Sequence, residues 1–341
     1  MSSATPAIQP PSAAPAWFPA RLPPPLSALA SLAYNYWWSW QRNGEALFRD
    51  IDPERWESCG GNPVRFLLET SRLEEAASDA GLVSRVTALE RALAAELSRP
   101  CAEVGGADAA HPIAFFCAEY GIHRSLPIYS GGLGVLAGDL LKEASDRALP
   151  LAGVGLLYRR GFFHQRLEPS GWQHEYWTTV RPEDLPALPV QQPDGAPLIV
   201  SVPLRGEQIR ARVWRVQVGR IPLYLLDTDM EANSPLGRWI TAQLYVGDRD
   251  VRLMQYALLG IGGARALAAM GIAPSLFHLN EGHAALTPLS LLADEIGRGS
   301  SLADALQAVR GRVVFTTHTP VAAGNESYAS GEVASMSVSS R

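Results

Sequence analysis

Residues 113–158 read IAFFCAEYGIHRSLPIYSGGLGVLAGDLLKEASDRALPLAGVGLLY. The first six, IAFFCA, form a short apolar run of the kind found in a buried strand. Gly131, Gly132 and Gly134 then lead into the helix-like LAGDLLKEASDRA, and LAGVGLLY is a second apolar run. Strand, glycine-rich turn, helix and strand in that order predict an α/β fold with a mainly parallel sheet.

The same alternation continues downstream. PLIVSVPL, IRARVWRVQV and IPLYLLD read as strands, and a long helical segment runs from about Val251 to Met270. SLFHLN is strand-like, HAALTPLSLLADEI and SLADALQAVRGR are helical, and RVVFTTHT is a last strand. Upstream, LSALASLAYNYWWSW, PVRFLLETSRLEEAAS and LVSRVTALERALAAELSR have helical spacing, and CAEVGGADAAHP reads as a linker. The spacing of Tyr34, Tyr36, Trp37, Trp38 and Trp40 favours core packing over sugar stacking. This predicts a loose Pro/Ala/Ser-rich lead-in over 1–25, a small helical domain over 26–104, an α/β lobe over 105–326 and a divergent tail over 327–341.

Composition narrows the function classes. With 47% hydrophobic and 18% charged residues the chain is globular. A formal net charge of -5 with scattered basic residues gives no reason to expect nucleic acid binding. No apolar stretch is long and uncharged enough to predict a membrane span, and the N-terminus lacks the pattern of a signal peptide. Cys59, Cys101 and Cys117 have no metal-ligand or disulfide spacing, so free thiols in a cytoplasmic setting and no metal are expected. Lys142 is the sole lysine, and Asp139 stands three residues before it as a helical ion-pair partner.

Open α/β sheets bind ligands beyond the carboxyl ends of their strands. Glu119 and Tyr120 follow the first predicted strand, Asn280, Glu281 and His283 follow SLFHLN, and His318 and Thr319 follow VVFTT. Any single one reads equally as a helix cap or a buried, satisfied group; together they predict a shared cleft. Gly131, Gly132 and Gly134 before a helix suit an anion such as phosphate, or else a tight turn with close packing. The pattern is neither a Walker loop nor a dinucleotide fingerprint.

These motifs resemble the α-glucan (glycogen, starch, maltodextrin) phosphorylases, and in particular their short bacterial branch. The Gly-Gly-Leu-Gly loop is Gly131–Gly134, the Gly-x-Gly-x-x-Tyr strand runs from Gly153 to Tyr158, the Phe-x-Gln step is Phe163 and Gln165, and the Gly-Trp-Gln turn starts at Gly171. LYVGDRDVRLMQ, HLNEGHAAL and VVFTTHTPVAAGNE resemble further family segments, and LAYNYWWSW with DPERWESCGGNPVRFL resembles the branch's extra N-terminal domain.

The resemblance implies the N-terminal Rossmann-like lobe of a GT-B glycosyltransferase, preceded by the small helical domain and without the C-terminal lobe. It implies phosphorolysis of α-1,4-glucan to glucose 1-phosphate with pyridoxal phosphate as cofactor. By motif, His318 would hydrogen-bond the reacting glucose and Glu119 would lie near the cofactor. Leu133, Asn280, Glu281 and His283 would line the glucose site, and Gly131, Gly132 and Gly134 would face the phosphates. The family's cofactor lysine has no counterpart here, so the expectation is an N-terminal portion, cut short and inactive alone. A sugar-nucleotide-dependent glucan synthase of GT-B type, a non-catalytic glucan-binding remnant and a homo-oligomeric state stay open.

Overall fold

A computed structural model describes residues 14–321 and 326–337. The outer parts of the expected lead-in and tail, and residues 322–325, lie outside that range.

The first third is helical: α1 (Leu29–Ala33), α2 (Ala46–Arg49), α3 (Pro53–Ser58), α4 (Pro63–Glu69), α5 (Leu73–Ala77) and α6 (Ala80–Ser98). Two expected helices are broken, each by a side chain with a competing partner. Asn35 ends α1: its Oδ1 accepts from the Gly219 amide at 2.8 Å, and its Nδ2 donates to the Gly219 carbonyl at 3.0 Å. The aromatic run after it is a 3-10 turn, Tyr36–Trp40. Thr70 separates α4 from α5, donating to Asp52 Oδ2 at 3.0 Å and accepting from the Arg72 amide at 3.3 Å. The aromatic cluster is core: Tyr36 and Trp38 are buried, Trp38 packs edge-on to Phe48 at 5.1 Å, and Phe48 stacks on Trp56 at 5.2 Å.

The expected loose lead-in is packed where it is described, because Phe18 and Leu22 are buried and Phe18 meets Tyr34 edge-on at 5.3 Å. The tail also differs from the expectation of a segment without a period. It forms α13 (Ser330–Ser337), anchored by buried Met336, whose carbonyl accepts from the Arg205 amide at 2.7 Å.

The remainder is mixed α/β. Its strands are β1 (Ile113–Phe116), β2 (Leu151–Leu156), β3 (His164–Leu167), β4 (Gln173–Tyr176), β5 (Ala187–Pro189), β6 (Ile199–Leu204), β7 (Glu207–Val218), β8 (Ile221–Asp227), β9 (Leu276–Asn280) and β10 (Val313–Thr316). The main sheet runs β10-β9-β1-β2-β8-β7-β5, with β6 also on β7. The first five are parallel to one another; β5, β6 and β8 pair with β7 antiparallel. Register places Phe116 beside Leu279 and Val154, and Thr316 beside Asn280. Every residue of β2 is buried, as a strand covered on both faces requires. Strands β3 and β4 form a separate exposed hairpin that the sequence pattern did not announce.

Helices α7 (Gly132–Asp146), α8 (Pro235–Trp239), α9 (Arg249–Ala257), α10 (Gly263–Ala269), α11 (Thr287–Gly297) and α12 (Leu302–Arg310) complete the domain. A π turn, Leu258–Gly262, joins α9 to α10, so the expected long helical segment is continuous. Helix α7 lies unusually close to the loop after β1. A Cβ on Gly138 would fall 2.2 Å from the Gly121 carbonyl oxygen, and the Gly121 amide donates to Gly134 O at 2.7 Å. Among the described residues no helix is long and apolar enough to cross a membrane.

Candidate functional site

The parallel strands bring the ends of β10, β9, β1 and β2 to one sheet edge. The residues that follow them meet there in two linked groups.

The first group is organised by Glu281, which is 4% exposed. Its carboxylate accepts from the amides of His318 and Thr319 (2.9 Å for Thr319) and from the hydroxyls of Thr319 (3.1 Å) and Thr317 (3.3 Å). Burial works to raise this carboxyl's pKa, but the donors more than offset it and hold it below its usual value. The residue has φ 63° and ψ 176°, a backbone region that strongly favours glycine. The clasp thus fixes the chain just past β10 against the end of β9 and holds a strained conformation in place.

Asn280 fixes the orientation of His318. Its Nδ2 donates to the Cys117 sulfur at 3.2 Å, which leaves Oδ1 facing His318 Nε2 at 2.8 Å. Nε2 therefore carries the ring proton and Nδ1 is the free acceptor. Burial pushes the Cys117 thiol up to about 11, so this sulfur stays protonated and acts as a packing and hydrogen-bonding group. His318 is exposed, with its imidazole at the open edge.

The second group is organised by Glu119, which is 1% exposed. Oε2 accepts from the Ser130 amide at 2.7 Å and the Gly131 amide at 3.4 Å, and Oε1 accepts from the Tyr245 hydroxyl at 2.6 Å. Both oxygens are taken, so Glu119 supports the glycine loop from beneath and presents no free face to the cleft. Gly134 lies against the same carboxylate: a Cβ there would fall 2.7 Å from Oε2 and 2.6 Å from Tyr129 Cβ. Gly131 is the N-cap of α7 and supplies no side-chain acceptor, so the first-turn amides of Gly132, Leu133 and Gly134 remain available for an anion. Leu133 is partly buried against the core, whereas Val135 and Leu136 are exposed beside the loop.

His283 joins the two groups. Its ring lies 5.9 Å from Tyr245 and 5.2 Å from Tyr256, and Nδ1 is buried with no hydrogen-bond partner. Burial depresses its pKa, against the opposing pull of Glu119 and Glu281. A neutral ring is the result. Arg252, which pairs with Glu326, closes this side with Tyr158 and Tyr256. The structure therefore brings Asn280, Glu281 and His318 into direct contact, brings Glu119 onto Gly131, and links the pairs through His283 and Tyr245. Sequence reasoning missed Tyr245, Ser130 and Thr317. Tyr245 sits in a loop at φ 55° with no strand end to mark it. Among the described residues no cluster could hold a metal ion.

Residues 22–126 match a family described as a protein of unknown function (DUF3417). The chain is 42% identical over 317 residues to the maltodextrin phosphorylase of Thermococcus litoralis, covering 92% of this chain and 38% of that protein. It is 43% identical over 321 residues to the glycogen phosphorylase of Mycobacterium tuberculosis, covering 89% of this chain and 37% of the relative. The glycogen phosphorylase of Aquifex aeolicus is 38% identical over 300 residues, with 88% and 43% covered. The chain is homologous to the N-terminal portion of these phosphorylases. It spans about 38% of the length of the first of these curated relatives. These relatives do not favour a sugar-nucleotide synthase or a non-catalytic remnant.

Proposed function

We propose that this chain forms one wall of an α-1,4-glucan phosphorylase, as the N-terminal GT-B lobe with its helical module at 26–104. In the reaction a phosphate oxygen bonds to the anomeric carbon of the terminal glucose. The glycosidic bond breaks, its oxygen takes a proton, and glucose 1-phosphate and a shortened glucan leave. The observation that carries this reading is the meeting of a glycine-opened helix N-terminus and an oriented histidine at one sheet edge, in a chain homologous to phosphorylases.

The contacts support the following roles. The amides of Gly132, Leu133 and Gly134 bind phosphate oxygens, with the α7 dipole adding to the attraction. His318 Nδ1 accepts a hydrogen bond from a hydroxyl of the reacting glucose, its tautomer set by Asn280. Glu281 and Glu119 are positioning residues, one for the His318 segment and one for the glycine loop. His283, neutral and with Nδ1 unpartnered, completes the sugar side.

Pyridoxal phosphate, the cofactor the resemblance implies, would supply an acid–base phosphate group. The residues here do not fit its covalent anchorage. Lys142 is the sole lysine; its side chain is 20% exposed, with Nζ 3.8 Å from Asp139 and 6.0 Å from the centre of the Trp40 ring. It sits against the helical module, away from the glycine loop. The proposal accordingly takes the cofactor lysine and the opposite wall from polypeptide beyond these residues. It also takes the cytoplasm, where free thiols persist, as the working compartment.

The test is a chimera that joins this chain to the remainder of the Thermococcus litoralis relative. Glucose 1-phosphate formed from maltoheptaose and phosphate is expected, falling at least tenfold in the His318→Ala variant. A folded chimera without turnover, or one indifferent to His318→Ala, overturns the reading.

A further inference from the structure

The start of β9 and the last turns of α10 and α11 enclose a pocket of about 230 Å³. Leu267, Ile272, Phe277 and Leu291 line it and are all buried, so its floor is apolar. Phe277 stands three residues before Asn280 in β9, about 10 Å along a strand. The pocket therefore lies at the opposite end of the strands from His318 and the glycine loop. Its volume is far above the roughly 15 Å³ that admits one water and just below the range of about 300–1,000 Å³ for drug-sized ligands. A body of one ring is the right size.

The rim decides the charge of the guest. Two carboxylates, Asp294 and Glu295, face two guanidiniums, Arg298 and Arg312. Glu295 is shared by both arginines, Arg298 at 2.8 Å and Arg312 at 3.7 Å. Arg312 is engaged further: its Nη2 donates to the Pro274 carbonyl at 3.0 Å, and its guanidinium lies over the Phe277 ring at 5.5 Å. Among the described residues no cation pairs with Asp294. The rim thus has both of its cations occupied and one carboxylate free. Two helix C-termini add to this bias, because α10 closes at Ala269 and α11 at Gly297, and the negative ends of their dipoles attract a cation. An anionic guest would have to take an arginine from Glu295. A cationic one meets Asp294 and the helix ends without displacing anything.

We propose that this pocket binds a small primary ammonium compound with one apolar ring, the ring on the Phe277 and Leu291 floor and the ammonium at Asp294. The site is independent of the phosphorylase reading, which is judged by turnover of the chimera.

The experiment is calorimetric titration of 2-phenylethylamine into the full chain, with 3-phenylpropionate as an anion of similar size. Saturable binding of the amine is expected, at least fivefold tighter than that of the acid. Asp294→Asn, at an exposed position, should weaken the amine at least fivefold and bring the two compounds close together. Ala268→Phe places a ring in the pocket from an exposed position on α10 and should weaken both tenfold or more. Circular dichroism identifies any variant that fails to fold, and the two variants sit on different helices, so the test does not depend on either one. No binding of the amine by the wild type overturns the site. Equal affinity for amine and acid, or an Asp294→Asn variant that keeps the preference, overturns the charge assignment. Unchanged binding by Ala268→Phe places the amine elsewhere and overturns the pocket.

Discussion

The Tyr245 hydroxyl donates to Glu119 Oε1 at 2.6 Å, while the other oxygen of that carboxylate holds the Ser130 amide at 2.7 Å. A residue from the loop before α9 thereby supports a loop more than a hundred residues earlier in the chain. Burial, followed by the neighbouring carboxylate, pushes the Tyr245 phenol far above its usual pKa, so it remains a donor. Tyr245→Phe should cost about 1.5–3 kcal/mol, the range for a hydrogen bond to a charged group. Urea unfolding measures the loss, and hydrogen exchange at Ser130 should quicken. Unchanged exchange there would separate Tyr245 from the loop.

Gly134→Ala should disturb the same loop by overpacking. The new methyl would fall within 2.7 Å of both Tyr129 Cβ and Glu119 Oε2, so the carboxylate or the helix start has to move. A cost of about 1–3 kcal/mol is expected. In the chimera, the apparent affinity for phosphate should fall more than that for glucan. Equal effects on both substrates would argue against the loop as the phosphate cradle.

Glu281→Gln keeps the shape of the clasp but removes its charge, and places an NH₂ group where amides and hydroxyls donate. A loss of about 1–3 kcal/mol is expected. Because the native carboxyl titrates below its usual value, its contribution is present above the unfolded pKa and is lost as pH falls through the folded one. The variant should lose that acid dependence; thermal melts between pH 3 and 7 measure it.

His123, in the loop after β1, makes a second acid-sensitive element where it packs against the helical module. Its ring packs on Trp38 at 5.0 Å and lies 3.0 Å from Ser125 Oγ, and burial lowers its pKa from 6.5 to about 4. Between those values the unfolded chain binds the proton and the folded chain does not. Stability is therefore full above pH 6.5 and falls by about 3 kcal/mol as pH drops towards 4. His123→Phe should flatten the dependence of Tm on pH across that window; an unchanged slope would assign it elsewhere.

Much of the site was legible because its groups stand where a parallel sheet presents them. Asn280, Glu281 and His318 each follow an apolar run, and the glycines of the loop precede a helix with clear periodicity. Tyr245 and Ser130 were not legible, since their roles depend on a positive φ in one loop and on an amide in another. The breaks at Asn35 and Thr70 were missed for a related reason: each side chain leaves its local helix for a partner 184 or 18 residues away. The hairpin β3–β4 escaped notice because both its faces are exposed, so it has no apolar alternation.

The packing of Lys142 against Trp40 has a practical consequence for studying the molecule. Amine-reactive reagents have one side chain to modify, and desolvation lowers its pKa, so more of it is the reactive free base at mildly alkaline pH. With 20% of that side chain exposed, labelling should proceed at the rate at which the helical module lifts from α7. With the more acidic α-amine blocked, a dye on this amine would report breathing between Trp40 and α7.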